Sequence, residues 1–297
     1  TSFSAAIDAM KMNGINGPVT FLLNSQTFTE RFVLPSVSGM SSANPIIFQS
    51  QSGNPADVIL TPPAATDAAT NYIARLSNAA FVTFRNITFQ PAAGTNYNRA
   101  ILVEDRADDL TFENLRIELP ATNAPTEDRG AIIARASLST NMRFINNIIT
   151  GGAFGILYVG NNSVRSPGTV FTGNTITNVF YRPVFFEYLQ GLTFNDNTIT
   201  HTGTAYSDYY GVGIQNTSGY VEMLRARRLG QLVRSEADYQ LHVLYLWYEK
   251  QPDRALDLLH GQARSHEYDA VHERCIVFVD RRYWIVSDWL HAPSEHD

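Results

Sequence analysis

Lysine and cysteine are almost missing from this chain of 297 residues: Lys11 and Lys250 are the only lysines and Cys275 is the only cysteine. A lone cysteine excludes an internal disulfide, so stability has to come from packing. With a formal net charge of −6 and no basic stripe, the composition argues against a nucleic-acid partner. No run of 18 apolar residues occurs, which excludes a transmembrane helix. No signal peptide is visible, and the expectation is a leader already removed. Other absences divide the chain in two. No threonine or asparagine follows Thr217, although the chain has 22 asparagines. Before that point there is no tryptophan and no cysteine, and of the seven histidines only His201. Residues 1–221 carry 27 charged residues and the last 76 carry 23, so two unlike sequences meet near residue 221.

What the first part does have is a repeat. Phenylalanine followed three residues later by asparagine recurs at Phe144/Asn147, Phe171/Asn174 and Phe194/Asn197, with variants at Phe84 and Phe112. Apolar strands around Phe21 and Phe48 extend the series, giving steps of 27, 36, 28, 32, 27 and 23 residues. A period in this range signals a solenoid, and here the unit is strand and turn rather than paired helices. Short strands such as those within 130–136, 142–150 and 155–160 leave no room for a crossover helix. They are expected to pair with the next coil, about 4.8 Å away. The fold class is therefore all-β, a parallel β-helix. Phe144, Phe171 and Phe194 are expected to stack inside it, and Asn147, Asn174 and Asn197 to form an amide ladder in a turn. Phe3, Ala6, Ile7 and Met10 form an i, i+3, i+4, i+7 stripe before Gly14, which predicts a helix over 2–13.

From SFSAAIDAM through GPVTFLLNSQTFTERFVLPSVSG to Gly219, the chain resembles the right-handed β-helix superfamily of pectate lyases, pectin methylesterases and repeat-rich bacterial surface proteins. That resemblance implies a right-handed coil over residues 1–221 with a helix plugging one end. It also implies placement outside the cell, secreted or on the cell surface, and polysaccharide as the partner.

Residues 222–266 read as a helical hairpin. Leu241, Leu244, Tyr245 and Tyr248 share one face of 237–250, and Ala255, Leu258 and Leu259 share a face of 252–266. The pair resembles one tetratricopeptide-like unit. Residues 267–297 alternate as two strands around Asp280, Arg281 and Arg282, completing a small α+β appendage. These strands resemble part of the β-sandwich of heparinase II/III-like polysaccharide lyases. On that resemblance His272, Arg274, Asp288 and His296 are secondary substrate-face candidates. His260, His266, His272, His291 and His296 have no ligand spacing, so no metal site is expected.

Aligning the second main strand of each coil on Ala100, Gly130, Gly155, Pro183 and Gly211 puts Glu104, Ala134, Val159, Glu187 and Gln215 in one outward row. The next row is Asp105, Arg135, Gly160, Tyr188 and Asn216, with Asp105 beside Arg135. Glu104, Asp105, Arg135, Glu187 and Tyr188 are the candidate substrate-binding residues, offering charge for uronates and a ring for sugar stacking. Glycoside hydrolysis wants two carboxyls about 5 to 9.5 Å apart, and Glu104 and Glu187 lie three coils, roughly 14 Å, apart. Asp108 and Asp109 read as solvated turn acids. No catalytic set is complete. The expected function is thus an extracellular β-helix that binds or processes polysaccharide without a complete catalytic site and without a cofactor. One alternative is a lyase cleaving uronic-acid glycans by β-elimination, for which Ca²⁺ on several acids would be the ion. The other is a structural or adhesive spacer.

Overall fold

In the computed structural model the described residues are 2–93, 96–135, 138–202 and 204–215, together with three strands near the C-terminus. Residues 14–215 wind into a parallel β-solenoid of seven coils, each contributing one strand to each of three seven-stranded sheets. The first sheet runs from Val19–Leu23 to Thr193–Asn195 and the second from Gln26–Phe28 to Thr198–Thr200. The third comprises Phe32–Pro35, Ala74–Ser77, Ile101–Glu104, Gly130–Ala134, Phe154–Val159, Arg182–Glu187 and Val212–Gln215.

The phenylalanine spacing sets the register of the first sheet. Phe21, Phe48, Phe84, Phe112, Phe144, Phe171 and Phe194 are Cα partners coil after coil. Their rings form one inward column with centroids 4.9 to 6.4 Å apart. Each of the five inner rings is withdrawn from water and finds a like neighbour above and below, so the repeat and the core are the same feature.

The asparagine ladder forms in the turn between the first and second sheets. Asn147 Nδ2 donates to Asn174 Oδ1 at 2.9 Å, and Asn174 Nδ2 donates to Asn197 Oδ1 at 3.0 Å. The same oxygens accept the backbone N–H groups of Asn147 and Asn174. Further amide protons go to the carbonyls of Phe112, Phe144 and Phe171. Full hydrogen bonding is what makes amides tolerable at a buried corner.

A second column lies one residue before the ladder. Asn86, Asn114, Asn146, Gly173 and Asp196 all have positive φ, between 48° and 69°. This left-handed turn costs asparagine, aspartate and glycine least, which is why those types recur there. At Gly173 a Cβ would also collide with Asn146 Oδ1.

The helix Phe3–Asn13 covers the open end of the first coil. Ser2 Oγ accepts the Ala5 N–H at its N-cap, while the Glu30 carboxylate accepts the N–H groups of Phe3 and Ser4. Phe3, Ala6, Ile7 and Met10 are buried, as the stripe requires, and the Phe3 ring packs on Phe28, Phe32 and Phe48.

Towards the C-terminus, Leu256–Arg264, Val271–Val279 and Tyr283–His291 form a three-stranded antiparallel sheet. The two strands expected around residues 280–282 are present. The helix expected over 252–266 is not, since Leu256–Arg264 is extended and pairs along Val271–Val279. Gly261 in mid-segment lowers helix propensity by about 1 kcal/mol, and an adjacent strand edge offers the backbone a full ladder instead. The other expected helix, 237–250, lies outside the described residues.

Candidate carbohydrate-binding face

The third sheet is the candidate site, and its register determines which side chains point outward. Ile101, Ile132, Ile156 and Val184 form one column, and Val103, Ala134, Tyr158 and Phe186 another. All eight are completely buried and belong to the coil interior. Between these columns lies an outward one: Arg75, Leu102, Ile133, Leu157 and Phe185.

The sequence alignment of this sheet slips by one residue at the fourth coil. Gly130 pairs with Phe154, not Gly155, and Ile101 pairs with Ile132. With a side-chain period of two, that slip turns Ala134 inward. Arg135, following Ala134 as Glu104 follows Val103, comes level with Glu104 rather than Asp105. The structure thus brings Glu104, Arg135 and Glu187 to one outward row, while Asp105 and Tyr188 sit one position further, both at positive φ.

Each charged candidate has a defined setting. Arg75 Nε donates to Glu104 at 2.6 Å. Asp105 accepts from Ser77 Oγ at 2.6 Å. Arg135 is not bonded to Asp105 but clamps both oxygens of Glu127, on the 3-10 turn just before its own strand. The Glu127 hydrogen bonds hold the Arg135 pKa above its ordinary value. Tyr188 packs against the outward apolar cluster. In the C-terminal sheet Arg274 is the Cα partner of Asp288, and His272 is that of Leu290. His296 lies outside the described residues.

The outward column is apolar and closely covered. Ile133 is 2% exposed and Leu157 1%, with Leu102, Phe154, Val159 and Phe185 buried around them. Tyr72, Tyr181, Tyr188 and Tyr210 rim this cluster as half-buried rings. The aromatic density rises at the turns entering the sixth and seventh strands of the sheet. Tyr181 meets Phe154 edge-on at 5.3 Å and Tyr206 edge-on at 5.0 Å, and Phe185 lies 6.4 Å from Tyr210. The Arg182 guanidinium sits 4.4 Å from the Tyr181 ring centre, 4.6 Å from Tyr210 and 5.1 Å from Phe185. Its Nη2 is 3.4 Å from Asp208 Oδ2, which also accepts the Tyr181 hydroxyl at 3.3 Å. Burial raises the pKa of both Tyr181 and Tyr210, so they remain neutral hydrogen-bonding phenols through the physiological range.

Sequence reasoning passed over this cluster because aromatic residues in turns carry no periodicity. The available signal was Tyr72, Tyr181 and Tyr210, each standing just before a strand of the third sheet. Among the described residues no group of three or more His, Cys, Asp or Glu could hold a metal ion. A separate shallow depression of about 420 Å³, lined by Thr61, Gln90, Pro91, Glu118 and Leu119 among others, lies where the chain leaves the second sheet. No helix among the described residues is long and apolar enough to cross a membrane. No family model matches the chain, and neither a curated protein nor a solved structure does.

Proposed function

We propose that this protein binds polysaccharide outside the cell or on its surface, through the outer side of the third sheet, and that recognition rather than bond cleavage is its task. The supporting observation is the rim of half-buried tyrosines, Tyr72, Tyr181, Tyr188 and Tyr210, which packs on the covered apolar column and stands beside arginine–carboxylate pairs. Sugar rings present apolar C–H faces to stack and hydroxyls to bond, so aromatic rims beside fixed donors and acceptors suit them. The resemblance to the pectate lyase-like superfamily and the Thr/Asn-rich composition of 1–217 support the same reading. Carbohydrate-array binding followed by titration tests it. Saturable binding to at least one polysaccharide, without release of unsaturated fragments, is the expected result. Unsaturated products from a uronic-acid polymer would replace binding with lyase chemistry.

A spacer is the second reading, favoured by one observation: the phenylalanine column and asparagine ladder supply rigidity that binding alone does not require. Absence of binding across the array would favour it.

A further inference from the structure

Taking glycan binding by this face as its premise, we propose that Tyr181, Arg182, Asp208 and Tyr210 form a subsite for a neutral pyranose bearing vicinal hydroxyls. The four residues come from the equivalent turn of two consecutive coils. Tyr181 and Arg182 enter the strand Arg182–Glu187, while Asp208 and Tyr210 precede its partner Val212–Gln215. They are all half-buried, so the rings and the charged groups retain surface to offer a ligand.

The chemistry is that of a hydroxyl clamp. Asp208 engages Arg182 and Tyr181 through Oδ2 alone, and Oδ1 takes no bond among the described residues. A carboxylate oxygen of this kind accepts from a sugar hydroxyl. The Arg182 guanidinium, whose contact with Asp208 at 3.4 Å is longer than the 2.7 to 2.9 Å of a strong charge-assisted bond, donates to its neighbour. Held between the Tyr181 and Tyr210 rings, that guanidinium is fixed in one plane, so little entropy is lost when it donates. The C–H face of the same sugar ring rests on the side of Tyr210 that the guanidinium leaves uncovered.

Charge argues for a neutral sugar over a uronate. Of the arginines on this face, Arg75, Arg99, Arg135 and Arg182 each already face an acid, and Asp105 and Glu187 add further carboxylates to the outward rows. A polyuronate would therefore find few arginines left to pair with its carboxylates.

The test is titration of the full chain with neutral gluco-, manno- and xylo-oligosaccharides and with an oligogalacturonate of equal length. At least one neutral oligosaccharide should bind more tightly than the oligogalacturonate. Tyr210→Ala and Asp208→Asn should each weaken it about tenfold, and Tyr181→Phe less. Melting curves identify any variant that fails to fold, and Asp208→Asn and Tyr181→Phe, conservative changes at half-buried positions, carry the test if Tyr210→Ala does. Tighter binding of the oligogalacturonate overturns the neutral subsite and leaves glycan binding standing. Neutral binding unchanged in both Tyr210→Ala and Asp208→Asn moves the site elsewhere on the face and overturns the assignment. No binding of any oligosaccharide overturns both this subsite and the proposed function.

Discussion

The two ends of the solenoid are built from the same repeat and finish differently. At the N-terminal end Phe3, only 1% exposed, drops its ring onto Phe28, Phe32 and Phe48, and the first coil is sealed. At the other end Phe194, Ile199 and Val212 are partly exposed, whereas their partners one coil earlier, Phe171, Ile176 and Val184, are fully buried. Asn197 follows the same trend relative to Asn174. A residue's contribution in a stack therefore depends on how many coils flank it, even when it occupies the same position of the repeat.

The largest test of that idea is Phe171→Ala against Phe194→Ala, in one column but one coil apart. Truncating the buried Phe171 should cost about 3 to 5 kcal/mol, and the partly exposed Phe194 clearly less, in denaturant unfolding. Equal losses would mean that the last coil is covered as fully as the interior. Next come the ladder amides. Asn174→Ala strands buried partners on both sides and should cost about 1 to 3 kcal/mol, more than Asn197→Ala.

Tyr158 probes the interior through pH. Its hydroxyl donates to Ser139 O at 2.7 Å, and burial pushes its ionisation above the ordinary tyrosine value. With the folded-state pKa raised, the stabilisation is complete below about pH 10 and is lost as pH climbs towards the folded value. Stability measured across the alkaline range should fall, and Tyr158→Phe should flatten that fall while removing about 1 kcal/mol at neutral pH. An unchanged alkaline limb would assign it to other tyrosines. At the sealed end, Ser2→Ala should cost about 1 kcal/mol by leaving the Ala5 N–H without its cap, seen in the same unfolding experiment. Smallest is the surface pair Arg75 and Glu104, for which a double-mutant cycle should return about 0 to 1 kcal/mol.

Legibility in the sequence followed the same division between column and corner. The phenylalanine spacing located all seven strands of the first sheet, because a large ring that must stack on its equivalent leaves little freedom of register. In the third sheet the alignment used small residues, and Ala100, Gly130 and Gly155 are interchangeable as anchors. Turns of unequal length ahead of those strands then hid the one-residue slip that sets Arg135 beside Glu104. The Tyr181 to Tyr210 cluster needed knowledge of which turns stack, which neither hydrophobic period supplies. In Leu256–Arg264 a short apolar spacing fitted a helix, and antiparallel pairing with the next strand, Val271–Val279, decided otherwise.

The ladders of all three sheets join one coil to the next, so their hydrogen bonds point along the stack rather than around it. Tension applied along that axis meets the bonds of one coil boundary at a time instead of loading a whole sheet in shear. The less covered end, the coil that closes with Val212–Gln215, should give way first, and the chain should then pay out coil by coil towards the helix, each step releasing a length set by the local repeat. Anchored at its two ends between surfaces, such a molecule would act as an extensible tether, lengthening in increments instead of snapping free.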